Sequence, residues 1–303
     1  MKSLEGMKVL VTGASGFLGS VVAADLLACG ADVLPLAGPK SGRSPAQAKA
    51  LGLDLSDMAD VQKLDVLGRF DAVVHCAAVL PGGMGEPGVL LENQKMTHNL
   101  LEWVIRANTG HFVLASTCRV YGAQSSACGE DAPLCPPDLY AVGKAACELM
   151  SSAMLAPHAI PCCSLRVSAP YGPRAKAKTV IHRFLHDAAA GLPLVLNGTG
   201  SRSQDFVFES DVADAFRQAI AARATGRYNL SGNQAVSSRE LALAALELFG
   251  RDPATHLVFA GADAQENYRG RFPTDAAFAA FGFSPRVSLK EGLHRTATAW
   301  GLL

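Results

Sequence analysis

The sequence predicts an α/β fold, a doubly wound parallel sheet with a smaller C-terminal lobe over one edge. Three observations carry this. Short β-branched runs alternate with helical periodicity through the first half of the chain, the rhythm of βαβ units. The first of these runs, KVLVT at 8–12, opens directly into the glycine-punctuated stretch ASGFLGS and an apolar helix. Beyond about residue 168 the rhythm loosens into short strand candidates set among helices, with no linker, repeat or low-complexity tract in between.

Taken in order, residues 8–12 read as a buried strand and the helix after the glycines runs to about Cys29. ADVLPLA (31–37) is the second strand, and ALGLDLS (50–56) contains a short third. FDAVVHCAA (70–78) is the fourth and leads into the loop PGGMGEPG. A helix over about 89–107, with Leu100, Leu101, Val104 and Ile105 as its core stripe, precedes the fifth strand, HFVLAS at 111–116. The stretch 123–138 is loop. The helix LYAVGKAACELMSSAM then leads to a sixth strand around 162–168. In the second half, LVLN, DFVF, RYNL and HLVF are strand candidates, and helices fall at about 178–190, 210–223, 237–249 and 287–300.

Composition narrows the function classes. Apolar residues make 49% of the chain and charged ones 18%, which excludes intrinsic disorder. Lys and Arg number 27, as do Asp and Glu, so no bulk charge holds a nucleic acid or a membrane surface. Any anionic ligand must be caught locally. No apolar run reaches a membrane span, and the N-terminus lacks the apolar core of a secretory signal. The eight cysteines form no CxxC, and Cys162 and Cys163 are adjacent, too close for an ordinary bridge. Reduced thiols in a cytoplasmic protein without a metal site are the expectation.

The stretch Thr12 to Gly19 lies between a strand and a helix, where a dinucleotide pyrophosphate sits on helix N-terminal amides. Gly13 permits the tight turn, Gly16 lets backbone approach phosphate and Gly19 lets the helix pack close to the strand, with Ser15, Phe17 and Leu18 completing the cradle. This makes the fold Rossmann-type. The second strand ends Leu36-Ala37-Gly38 without the acid that binds a free ribose, and Lys40, Ser41 and Arg43 follow. These either pair with a 2′-phosphate or are solvated loop charges; NADP(H) is preferred and NAD(H) remains open. Asp54 and Leu55 either meet the adenine or belong to a helix cap near Ser56 or Asp57. Residues 1–168 with about 210–230 are expected to form the dinucleotide-binding domain, and about 169–209 with 231–303 the substrate lobe.

Tyr140 and Lys144 stand four apart on a predicted helix and share a face. A phenol with an ordinary pKa of about 10 is a poor base near pH 7, and a neighbouring ammonium and an oxidised nicotinamide both favour its phenolate. Tyr140 then exchanges a proton with an alcohol whose carbon exchanges hydride with the cofactor. Thr117, ending the fifth strand, hydrogen-bonds the same oxygen.

Together these residues resemble the extended short-chain dehydrogenase/reductase family, the NAD-dependent epimerase/dehydratase branch that acts on nucleotide sugars. TGASGFLGS, DLSD, VVHCAA, STCRVYG, YAVGK, LRVSAPYGPR, QDFVFESDVADA, YNLSG and PRVSLKEGL fall in that family's order over nearly the whole chain. The resemblance implies Thr117, Tyr140 and Lys144 as the catalytic set, Lys144 on the nicotinamide ribose, Ala77 and Ala78 beside the cofactor, and a homodimer through the helix at 89–107 and the Tyr140 helix. His75 is read as ordering a loop.

The departures point to the reaction. Family dehydratases and decarboxylases carry an acid between the catalytic Ser/Thr and the VYG, where this chain has Cys118 and Arg119, so those reactions are not expected. Arg174 stands where the carbon-3,5 epimerising enzymes place a His. Ala169 and Gln204 replace an Asn and an Arg that commonly serve the nucleotide diphosphate; Arg202, Arg269 and Arg271 either substitute or are solvated. Arg119 places a cation near the reacting sugar, selecting a carboxylate or polar substituent. The leading expectation is an NADP(H)-dependent reductase of a 4-keto nucleoside diphosphate sugar. A 4-epimerase holding its cofactor tightly is the alternative, followed by the same chemistry on a sugar acid or ketone, and by a non-catalytic dinucleotide sensor.

Overall fold

The structure, a computed structural model, describes residues 4–39, 51–80, 87–123, 126–175, 179–232 and 234–303. Lys40, Ser41 and Arg43 lie outside them. The chain begins β1 (Lys8–Thr12), α1 (Phe17–Ala28), β2 (Asp32–Ala37), β3 (Leu51–Gly52), α2 (Met58–Gln62), β4 (Ala72–His75) and α3 (Pro87–Arg106). It continues with β5 (Phe112–Thr117), α4 (Leu139–Leu155), β6 (Cys162–Val167), β7 (Ala169–Tyr171), α5 (Val180–Ala189), β8 (Leu194–Asn197) and β9 (Ser203–Phe208). The remainder is α6 (Glu209–Ala222), β10 (Gly226–Leu230), β11 (Ala235–Ser237), α7 (Ser238–Leu248), α8 (Pro253–His256), β12 (Leu257–Ala260), α9 (Asp275–Phe281) and α10 (Leu289–Ala299).

The expected doubly wound Rossmann-type sheet is present. Its order is β10-β6-β5-β4-β1-β2-β3, and every pairing in it is parallel. Such strands are buried on both faces, so the sequence runs apolar without a polar alternate. Their period of two splits the side chains between two cores. Val9, Val11, Val74 and Val113 join one cluster beneath α1 and α6, while Leu10, Val73, Phe112 and Leu114 join another beneath α3 and α4. Strand order reverses between β1 and β4, which opens a crevice at their carboxyl ends.

The lobe has its own core around Phe184, Leu185, Leu194, Leu241, Leu246 and Leu293. Two small sheets, β11-β9-β7 and β12-β8, frame it. Ala277 and Phe283, in and after α9, instead pack in the cluster under α1 and α6. That C-terminal piece, read from sequence as part of the lobe, covers the sheet.

The short third strand expected within 50–56 is β3, which ends at Gly52 before Asp54 Oδ1 accepts the Ser56 amide at 2.9 Å and hydroxyl at 2.7 Å and turns the chain. One strand is shorter than expected. β4 stops at His75, because the next amides serve side chains: Ala77 donates to Thr12 Oγ1 at 3.2 Å and Val79 to Asn93 Oδ1 at 2.7 Å. No helix among the described residues is long and apolar enough to cross a membrane. All eight cysteines are free thiols.

Candidate active site

The glycine turn is built by contact. Gly13 has φ +67°, a conformation that disfavours a side chain, and a methyl group there would stand 2.6 Å from the Ala77 amide nitrogen. A methyl at Gly19 would stand 2.3 Å from the Gly13 carbonyl oxygen, so α1 can lie against β1 only without one. Gly16 is the N-cap of α1; no side chain caps the helix and its first turn holds no acid. The positive end of α1 therefore faces the crevice undiluted, and an anion is favoured there. A dinucleotide pyrophosphate fits this cradle, with Ser15 to Gly19 along it.

Opposite the turn, His75 is locked in one tautomer. Thr97 Oγ1 donates to the Asn93 carbonyl at 2.9 Å and so accepts from His75 Nε2 at 3.0 Å, which leaves Nδ1 to accept from Thr12 Oγ1 at 2.8 Å. Burial, with the nearby Lys144 charge adding to it, pushes the imidazole down to about 3 and keeps it neutral. The ring joins β1, β4 and α3, and through Thr12 it fixes the Ala77 amide at the crevice wall. It orders the 76–79 loop.

Thr117 ends β5, 7% exposed, and its Oγ1 accepts the Arg119 amide at 3.2 Å. On α4, Lys144 is buried and donates from Nζ to the Ala115 carbonyl at 2.8 Å, two residues before Thr117 on the same strand. Its charge also reaches His75 and Cys76, at the switch point. Tyr140 lies one turn nearer the N-terminus of α4 and is half-buried. Asp138 caps that helix, accepting the Ala141 amide at 2.9 Å. Burial raises its carboxyl, but that amide and the Arg119 guanidinium outweigh burial and hold it below the usual range.

The exposed Arg119 guanidinium is ion-paired with Asp138, which ties the turn after β5 to the N-cap of the Tyr140 helix. Cys118, its neighbour, is 2% exposed; burial, partly offset by Arg166, raises its thiol well above the ordinary range, so it stays protonated.

A buried ion pair behind the site was not anticipated. Arg166 on β6 meets Glu148 on α4 through Nη2 at 2.7 Å and Nε at 3.0 Å, and both side chains are essentially inaccessible. Ser116 Oγ donates to the same carboxylate, and Arg166 Nη1 donates to the Tyr121 hydroxyl at 2.7 Å. Two sequence signals pointed here: an arginine inside the apolar strand CCSLRV, and a glutamate four residues beyond Lys144.

In the lobe, Arg202 lines a cavity of about 290 Å³ with Arg183, Gln204, Phe206, Val236 and Leu241. Arg271 is exposed; its carbonyl accepts the Cys128 amide at 3.0 Å. Arg269 turns back on its own segment, donating to the Glu266 and Tyr268 carbonyls at 2.7 and 3.0 Å. Asp57, not Asp54, caps α2. Leu55 is core, with its carbonyl held by Asn99 at 2.9 Å.

A sequence profile of the NAD dependent epimerase/dehydratase family matches residues 9–231, from β1 through β10. The chain belongs to that family. As a member of it, the chain is an enzyme of the extended short-chain dehydrogenase/reductase type. The family resemblance extends to curated relatives at full length. A UDP-glucose 4-epimerase of Mycolicibacterium smegmatis is 30% identical over 96% of this chain and 97% of that one. A dTDP-glucose 4,6-dehydratase of Streptomyces griseus is 30% identical over 96% and 93%. Among solved structures, the UDP-glucose 4-epimerase of Thermus thermophilus in complex with NAD superposes with a TM-score of 0.85 at 28% identity, covering 97% and 99% of the two chains.

Proposed function

We propose that this family member is a nucleoside diphosphate sugar 4-epimerase, with Tyr140 as the proton-transfer group, Thr117 as its partner on the substrate oxygen and Lys144 on the nicotinamide ribose. The full-length likeness to UDP-glucose 4-epimerases supports epimerisation over reduction, and the pair after Thr117 speaks against dehydration. Cys118 is a buried, protonated thiol, and Arg119 is tied to Asp138. Neither offers the carboxylate that a second proton transfer, at the carbon next to the ketone, requires. This supports chemistry at one carbon.

When bound, the dinucleotide supplies the acceptor and then the donor of hydride. Tyr140 takes the proton of the sugar hydroxyl as its carbon loses hydride, and Thr117 holds the oxygen that becomes a ketone. The ketone turns over in the site, and Tyr140 returns the proton when the opposite face is reduced. The glycine turn and the positive end of α1 hold the pyrophosphate, while Ala77 and Ala78 line the loop beside Gly13. Residues 1–168 with about 210–230 carry the dinucleotide, and the lobe of about 169–209 with 231–303 carries the substrate, with Arg202 and Arg271 as its anion-binding residues. Because β2 ends in Ala37, followed by Gly38, with no acid for the ribose, NADP(H) is preferred. Eight free thiols support a cytoplasmic protein, and the exposed Leu91 of α3 and Leu149 of α4 support a second copy against those helices.

The test is conversion of UDP-glucose to its 4-epimer, followed by proton NMR. Tyr140→Phe is expected to lower kcat on the order of a hundredfold or more, the scale of a positioned acid–base group. Unchanged turnover in that variant excludes the assignment. The second reading, a reductase of 4-keto nucleotide sugars, shares Cys118 and Arg119. It gains if the protein purifies without bound dinucleotide and consumes NADPH in step with a 4-keto sugar.

A further inference from the structure

Tyr268 stands between the two halves of this site. The segment that carries it, 266–270, is zipped onto the turn between β8 and β9. Ser203 exchanges backbone hydrogen bonds with it, donating to the Tyr268 carbonyl at 3.1 Å and accepting the Gly270 amide at 3.1 Å. Glu266 accepts the Thr199 amide at 2.9 Å and the Ser201 hydroxyl at 3.1 Å. Arg202 sits inside this zipper, between Ser201 and Ser203. Just past its other end, the Arg271 carbonyl accepts the amide of Cys128, in the loop between β5 and α4.

The Tyr268 side chain is half-buried, folded back over Gly270. Burial raises its phenol, and the Arg119 and Arg202 charges both reach it and act the other way. One of these arginines flanks Thr117 and the other lines the lobe cavity. A second cavity, also about 290 Å³, lies between residues 263–268 and Ala123, just past the turn that follows Thr117. Asp263 lines both cavities, and Tyr268 lines the second of them.

We infer that Tyr268 is a substrate-binding residue, presenting its hydroxyl and ring to the diphosphate and the sugar joined to it, between Arg202 and Thr117. This rests on the nucleotide-sugar reading above. Gly270 belongs to the same device: a methyl group there would stand 2.7 Å from Tyr268 Cε1 and 2.8 Å from its hydroxyl, so the ring's resting place exists only because residue 270 is glycine.

Two variants therefore probe one ring. Tyr268→Phe removes the hydroxyl, and Gly270→Ala displaces the ring while every polar group remains. Calorimetric titration with UDP and UDP-glucose, and separately with NAD, is expected to show nucleotide-sugar affinity roughly three- to tenfold weaker in both variants, the effect of losing one hydrogen bond, with NAD affinity unchanged. In turnover, KM rises by the same factor while kcat is retained. A thermal transition near that of wild type shows that each variant is folded; should Gly270→Ala fail this, Tyr268→Phe decides alone. If wild type binds UDP-glucose and the folded variants match it within about twofold, the role of Tyr268 is overturned. If wild type binds neither UDP nor UDP-glucose, the nucleotide-sugar reading falls and this inference with it.

Discussion

The Cβ that Gly19 lacks decides whether α1 reaches β1. With 2.3 Å between that atom and the Gly13 carbonyl oxygen, both of them backbone-bound, no rotamer relieves an alanine. Gly19→Ala must push the helix away from the strand, at about 1–3 kcal/mol for an overpacked contact. The same shift moves the first-turn amides, so NAD affinity should fall at least about tenfold. Chemical denaturation and cofactor titration read the two effects, and an alanine variant with unaltered NAD binding would show that the turn does not hold the cofactor. This turn was legible in the sequence because its constraints are local. The ion pair of Arg119 was not: its partner Asp138 is nineteen residues away and meets it only in the fold.

Tyr140, Lys144 and Glu148 recur every fourth residue on α4 and so form one stripe. The first is half-buried, the second reaches the β5 carbonyl of Ala115 and the third the buried guanidinium of β6. The rear of the stripe anchors its front. Glu148→Ala would leave Arg166 charged and without its partner in a site closed to water, at about 3–5 kcal/mol. Replacing both partners by apolar residues of similar volume, Glu148→Leu with Arg166→Met, should recover most of that stability in urea titrations. If the single and double variants are equally unstable, the ion pair is not the source of the loss. The main elements were readable because long runs carry periodicity. The three-residue strands Ala169–Tyr171 and Ala235–Ser237 and the four-residue helix Pro253–His256 are too short for any period to register. The early end of β4 came from hydrogen bonds to side chains, which hydrophobic pattern does not encode.

Across the whole molecule, two neutral histidines join parts far apart in the chain, and both set its tolerance of acid. His75 links β1, β4 and α3, and His111, just before β5, donates from Nε2 to the Ala224 carbonyl after α6 at 2.8 Å. Burial pushes His111 down to about 4, and its Nδ1 has no partner among the described residues, so a proton placed there finds no acceptor. In the unfolded chain both rings take up a proton below about pH 6.5, whereas the folded values are about 3 and about 4. The unfolded state then binds more protons, so stability is full above 6.5 and declines as pH falls. At pH 5 the loss is about 2 kcal/mol per histidine. Asp205 opposes it: burial raises this carboxyl to about 6, so folded protein binds its proton first and regains some stability on acidification. A comparison of variants removes that opposing term, since Asp205 is common to both. His111→Gln retains an N–H for Ala224 and cannot be charged. The stability it loses between pH 7 and pH 5, measured by urea titration, should be smaller than the wild-type loss by about 2 kcal/mol. Equal losses would mean that His111 is already charged in the folded protein, and that the contact between the start of β5 and the end of α6 is made by an imidazolium.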